Sequence, residues 1–149
     1  MNRIDPDSIH DRVEYIRYMF DNADKHPTAY ELFVLPIAAY DSDGKLVKAD
    51  KKFRSFTGIT EEDIRSGRAN IFDCLNKENK GIVSAAKKAF HDEEVIVHDL
   101  VCPLRPATEG VRPEICRYRD AVFFPMAYDR EYVPYCGVLL IDEETADSG

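Results

Sequence analysis

The stretch L-P-I-A-A-Y-D-S-D-G-K-L-V-K-A-D-K-K-F-R-S-F-T-G-I-T-E-E-D-I-R-S, residues 35–66, places a turn or a cap at every junction it contains. Pro36 to Asp41 reads as an apolar strand, and Asp41-Ser42-Asp43-Gly44 as a hairpin turn whose glycine accepts positive φ. Lys45 to Ala49 alternates polar and apolar residues, which predicts a second strand. Asp50 then fits a helix N-cap, because its carboxylate can accept the orphan N–H groups of the next turn. That helix carries Phe53 and Phe56 on one face and stops at Gly58. Thr60-Glu61-Glu62-Asp63 forms a capping box with Asp in the place of the usual Glu or Gln, and Gly67 closes the second helix.

Upstream, Ile9, Val13, Ile16, Phe20 and Ala23 recur at helical spacing between charged residues, with Asp7 or Ser8 as cap and Lys25-His26-Pro27-Thr28 as the stop. Downstream, Asn70 to Leu75 is a brief turn anchored by Ile71, Phe72 and Leu75. Lys77 to Phe90 is expected to be the longest internal helix, with Ile82, Val83, Ala86 and Phe90 as its apolar stripe. Three strands follow at Val95 to Leu104, Ile115 to Ala127 and Val133 to Ile141. Their links, residues 105–114 and the charged turn 128–132, suit antiparallel neighbours. The last strand, Y-C-G-V-L-L-I, is apolar at consecutive positions, so it must be covered on both faces. Internal helices cover one face; the other requires the N-terminal helix, a partner subunit, or both.

The bulk numbers fit one ordinary globular domain: 149 residues, 44% hydrophobic and 32% charged. A net charge of −8 argues against nucleic acid and against an acidic membrane surface as partners. The first dozen residues lack the apolar core of a signal peptide, and no apolar run approaches a membrane span. The expected location is therefore the cytoplasm, and Cys74, Cys102, Cys116 and Cys136 are expected as free thiols. Cys102 and Cys116 lie on strands joined by a hairpin link, so they become either cross-strand neighbours or two small buried apolar residues.

The order of elements from Leu32 to Thr145 resembles that of the PAS domain, a sensor module of signalling proteins. Asp41-Ser42-Asp43-Gly44 looks like the family's first hairpin. Ala49-Asp50-Lys51-Lys52-Phe53 is similar to its Ala-Asn-x-x-Phe helix start, with Asp for Asn. Residues 56–64, F-T-G-I-T-E-E-D-I, resemble its F-T-G-Y-S-x-E-E-L wording, and residues 137–141, G-V-L-L-I, its final strand. The resemblance implies an α+β fold: a five-stranded antiparallel sheet with helices on one face and an N-terminal amphipathic helix. It divides the chain into a helical dimerisation segment (1–31), a PAS domain (32–145) and a polar tail (146–149). Glu143-Glu144-Thr145 takes the place of the family's Asp-x-Thr output hinge, with Glu for Asp.

The implied function is a non-enzymatic sensor or regulatory domain that binds a small molecule, forms a homodimer, or both, and controls a kinase, cyclase or transcription regulator. Its pocket would lie between the sheet and the internal helices, lined by Phe56, Phe72, Val83 and Phe90 with His98 and Tyr118 as polar groups; the same aromatics equally serve to fill a solid core. Val13, Ile16 and Phe20 are the candidate dimer contacts. The alternative is a ligand-free protein–protein interaction module. The family's flavin photoadduct wording, G-x-N-C-R-F-L-Q, is not matched by residues 67–74, G-R-A-N-I-F-D-C. A haem ligand is not expected either, because residues 84–90 carry no histidine and only His91 and His98 lie near.

Other chemistry leaves little trace. The histidines and cysteines show no close metal spacing, and neither a phosphate-binding glycine loop nor a nucleophile elbow is present. Lys51, Lys52 and Arg54, like Lys87 and Lys88, read as solvated helix faces. Arg117 and Arg119 share a strand face, where they either pair with carboxylates such as Asp99 or hold an anion or a dimer contact.

Overall fold

A computed structural model describes residues 36–127 and 134–143 of the chain. Among these residues nine elements follow one another: β1 (Ile37–Tyr40), β2 (Leu46–Ala49), α1 (Lys51–Thr57), α2 (Glu61–Ser66), α3 (Ile71–Cys74), α4 (Ile82–Phe90), β3 (Val95–Val101), β4 (Arg117–Ala127) and β5 (Pro134–Asp142). The strands form one antiparallel sheet in the order β2-β1-β5-β4-β3, which is the expected α+β architecture. The N-terminal helix with Val13, Ile16 and Phe20, the turn 128–132, and Glu144 and Thr145 of the hinge lie outside the described residues.

Local capping sets the first helices. Asp50 Oδ1 accepts the Phe53 N–H at 2.7 Å and also the Ile37 N–H at 3.3 Å, so one carboxylate starts α1 and pins the start of β1. Its second oxygen is buried with no partner among the described residues. Burial pushes the Asp50 carboxyl up to about 6, against the opposing pull of those two N–H groups, Arg54 and Lys52. Thr60 and Asp63 exchange side-chain and backbone bonds in a complete capping box. Burial alone would raise the Asp63 carboxyl, but bonds from Thr60 and Thr108 and the nearby Arg68 guanidinium hold it below the ordinary value.

The long internal helix is shorter than its sequence pattern predicts. It begins at Ile82, because Gly81 stands at the N-cap in the left-handed region with φ 84°. The preceding residues are tied elsewhere: Asn76 and Asn79 both donate to the Val101 carbonyl, at 3.1 and 3.0 Å, and Asn79 accepts the Val101 N–H at 2.8 Å. The buried stripe is also rotated. Ile82, Ala85, Ala86 and Ala89 face the sheet, while Val83 and Phe90 are only half-buried. Three alanines let the helix approach closely, which larger side chains would prevent.

β3 ends three residues earlier than expected, at Val101 rather than Leu104. Asp99 and Cys102 have φ of 54° and 41°, left-handed values that interrupt the ladder after His98 and close it after Val101. The register that pairs Val101 with Arg117 sets Cys102 opposite Cys116, and the two form a disulfide with Cα atoms 4.3 Å apart. The expectation of four free thiols is thus corrected: only Cys74 and Cys136 are free, and both are buried.

The middle of the sheet is buried on both faces. Ala38, Tyr40, Tyr118, Ala121, Phe123, Cys136, Val138 and Leu140 belong to a core shared with α1–α4. Ile37, Ala39, Val122, Phe124, Met126, Leu139 and Ile141 form a second cluster on the opposite face, built from strand residues alone among those described. There the Phe124 ring lies directly over Gly137; a Cβ at that glycine would sit 2.4 Å from the ring. Among the described residues no helix is long and apolar enough to cross a membrane.

Gly137→Ala is therefore expected to destabilise the fold by about 1–3 kcal/mol, measured as a lower urea midpoint, and pairing it with Phe124→Leu should recover part of the loss. Asp50 gives a second expectation. Its folded-state value is raised, so its stabilising contribution is greatest below about pH 4 and declines as pH rises through about 6. Between pH 4 and pH 7 the stability of Asp50→Asn should gain roughly 2–3 kcal/mol relative to the unaltered chain. Parallel curves across that range would contradict it.

Candidate functional site

The core between the inner face of the sheet and helices α1–α4 is the candidate site. Tyr40 and Tyr118 enter it from β1 and β4, and Phe53 and Phe56 from α1. The Phe56 and Tyr118 rings are tilted against each other with centroids 6.2 Å apart. Tyr118 satisfies its hydroxyl by donating to the Ile115 carbonyl at 3.1 Å. Tyr40 does not: it is fully buried, and its hydroxyl has no hydrogen-bond partner among the described residues. Burial raises the Tyr40 phenol well above its ordinary value, with Cys74 and Cys136 adding to the effect. Those thiols are themselves pushed up by burial, to about 11 and about 12. Both therefore stay protonated near neutrality and act as small, weakly polar groups.

Of the six pocket residues expected from sequence, the fold brings two together in this core, Phe56 and Tyr118. Val83 and Phe90 pack against its rim. Phe72 is 36% exposed and meets the Phe90 ring at 5.9 Å, outside the core proper. His98 stands on the other side of the sheet. Its neighbours in alternation, Val95 and Val97, pack inward and Ile96 outward, so His98 turns outward with Ile96. There its Nδ1 lies 2.5 Å from Asp120 Oδ1, and Arg119 donates to the other Asp120 oxygen at 2.8 Å. Asp120, not Asp99, is thus the carboxylate that holds Arg119, because a register shift between Tyr118 and Asp120 breaks the simple alternation.

Tyr40 is not among the six pocket residues that the sequence singles out. I-A-A-Y offers no alternation of polar and apolar residues, so nothing local tells which face receives the tyrosine. Pairing of Tyr40 with Cys136 across β1 and β5 decides it.

At the surface a groove of about 1000 Å³ lies between β2, α1 and α2, and its wall includes Val47, Lys51, Phe56, Ile64, Arg65 and Glu114. Lys52 lies over the Phe56 ring at 5.5 Å and Arg54 is paired with Glu61, so the basic cluster of α1 is largely engaged within the chain. Among the described residues no three His, Cys, Asp or Glu side chains gather as a metal site.

The loop between Cys102 and Cys116 closes the site from one end. Arg105 N–H donates to the Cys74 carbonyl at 2.8 Å, Thr108 Oγ1 to Asp63 Oδ1 at 2.8 Å, and Ile115 N–H to the Phe56 carbonyl at 3.2 Å. Each bond joins the loop to a helix that borders the core.

No protein-family model matches the chain, and no curated protein matches it. Solved structures do. A fungal LOV domain photoreceptor aligns with a TM-score of 0.50 at 16% identity, covering 72% of this chain and 74% of that one. The PAS domain of an HTR-like protein from Haloarcula marismortui aligns at 0.49 and 15% identity over 89% of this chain and 96% of its own. A variant of the Drosophila melanogaster Cycle PAS-B domain, solved with glycerol bound, aligns at 0.49 and 12% identity over 71% and 97%. The strand order β2-β1-β5-β4-β3, the helices gathered on one face between β2 and β3, and the LOV-domain alignment at a TM-score of 0.50 give this chain the PAS fold.

Proposed function

We propose that the chain is a non-enzymatic sensor or regulatory domain whose ligand, a small and largely apolar molecule with one hydrogen-bonding group, sits between the sheet and the helices. The observation that carries this reading is the Tyr40 hydroxyl, fully buried without a partner among the described residues. An unpaired buried hydroxyl costs about 1–3 kcal/mol, so a protein that retains one gains by supplying a partner. Around it the walls are aromatic and aliphatic, with Phe56, Tyr118 and the two protonated thiols as further lining. The output passes to a kinase, cyclase or transcription regulator through the end of β5, where Glu143 begins the E-E-T segment.

A second reading, a ligand-free interaction module, is favoured by the outer face of the sheet. Seven of its residues are at most 2% exposed, yet no described helix contributes to that cluster. On this reading residues 1–31 and a second copy of the chain cover the face, with Val13, Ile16 and Phe20 at the contact. The two readings are compatible, since a sensor can signal by rearranging a dimer.

Native mass spectrometry of the purified protein, compared with its denatured mass, is expected to show a non-covalent adduct. Tyr40→Phe should lose that adduct and the thermal stabilisation it confers. If the variant instead melts higher by the equivalent of about 1 kcal/mol and neither protein carries an adduct, the hydroxyl is a plain burial cost and the ligand reading fails. For the dimer, Ile16→Glu and Phe20→Glu should shift sedimentation toward monomer; unchanged dimers from both would remove the N-terminal segment from the interface.

A further inference from the structure

We propose that the Cys102–Cys116 disulfide is a thiol–disulfide exchange site, open to a low-molecular-weight thiol, whose reduction releases the loop that closes the core. Three features of the fold converge on it. Cys116 is exposed and Cys102 half-exposed, whereas Cys74 and Cys136 are buried. The buried pair, held protonated at neutral pH, supplies no attacking thiolate, so exchange comes from outside the chain and does not scramble within it.

The second feature is the backbone at the bond. Cys102 has φ 41°, a left-handed conformation that a non-glycine residue adopts only under restraint. Its N–H donates to the Cys116 carbonyl, so the covalent bond and this hydrogen bond together hold the turn. With the disulfide open, Cys102 is free to return to an ordinary φ, and Pro103 and Leu104 move with it. The third feature is what these residues grip. Pro103 O accepts the Asn76 N–H at 2.9 Å, and Leu104 bridges to Leu75. At the other end Ile115 is bonded to Phe56 and accepts the Tyr118 hydroxyl. Both ends of the stapled loop thus touch the walls of the core.

An external thiolate RS⁻ attacks the Cys116 sulfur, the S–S bond breaks, and Cys102 leaves as a thiolate; Cys116 is now a mixed disulfide with R. A second RS⁻ attacks the R-bearing sulfur, releasing RSSR and the Cys116 thiolate. Two thiolates are oxidised and one protein disulfide is reduced, and glutathione disulfide reverses both steps.

The test equilibrates the folded chain in glutathione buffers of graded ratio and pulse-alkylates it, still folded and at neutral pH, with N-ethylmaleimide for intact and peptide mass. The expected result is two labels, on Cys102 and Cys116, appearing together with Cys74 and Cys136 unlabelled and the far-ultraviolet spectrum native. Hydrogen exchange of the reduced protein should then be about tenfold faster over residues 99–118 and at Phe56–Gly58. Cys116→Ser should reproduce that exchange pattern without reductant, and Cys102→Ser provides a second check should the first variant fold poorly. Labels that appear only on all four cysteines at once, on global unfolding, would make the bond a structural staple and overturn the proposal. So would four labels in excess glutathione disulfide, or an exchange pattern unchanged by reduction. None of these readouts needs a ligand, so the outcome is separate from that of the ligand reading.

Discussion

Everything in this fold answers to one packing constraint: β5 must be kept from water on both faces. Cys136, Val138 and Leu140 point to the helices and Leu139 and Ile141 to the other side, all nearly or completely buried. Its flanks are equally committed, with β1 pairing along one edge and β4 along the other. Helices α1–α4 meet the inner requirement. The alanines of α4 shorten the helix-to-sheet distance, and the missing side chain at Gly137 leaves room for Phe124 on the outer side. Hydrophobic burial of this kind is the main favourable term of folding, and a central strand concentrates it.

How much of this was legible in the sequence depended on the distance over which each feature is decided. The caps at Asp50 and Thr60 were read correctly because the bonds that define them span three residues. Strand number and order of elements were also legible, since apolar runs separated by turn residues carry that information locally. The start of α4 was not. Its first expected turn is captured by Asn79, whose bonds to Val101 reach across 22 residues. The disulfide required the β3–β4 register, and the outward turn of His98 required knowing which face Val95 and Val97 occupy. The bond from Asp50 to Ile37 N–H, 13 residues back, lies outside any local cap rule.

The site was legible as a place more than as a set of residues. Aromatic side chains of α1 and β4 marked the core, and Phe56 with Tyr118 does stand there. Its most informative group, the Tyr40 hydroxyl, was hidden by a strand that is buried on both sides and so shows no alternation. Chemistry in this core is muted: the thiols stay protonated and the phenols resist ionisation, so it offers shape and a few neutral hydrogen bonds in place of charge. Ionised groups stand outside this apolar cluster, on the α1 lysines, in the Asp120 pairings and at the fully bonded Asp63 of the α2 cap.

The strand order has a consequence in time. A ribosome delivers β1 and β2 first, then the helices, then β3 and β4, and only at the end β5, the strand that belongs in the middle. Until then the two halves of the sheet have no common edge, and each presents an unpaired, apolar border. Ile37 waits for Leu139, its partner across that seam. Such long-range closure is slow and exposes aggregation-prone edges while it is pending. Loss of β5 alone would therefore leave two half-sheets in place of a smaller domain.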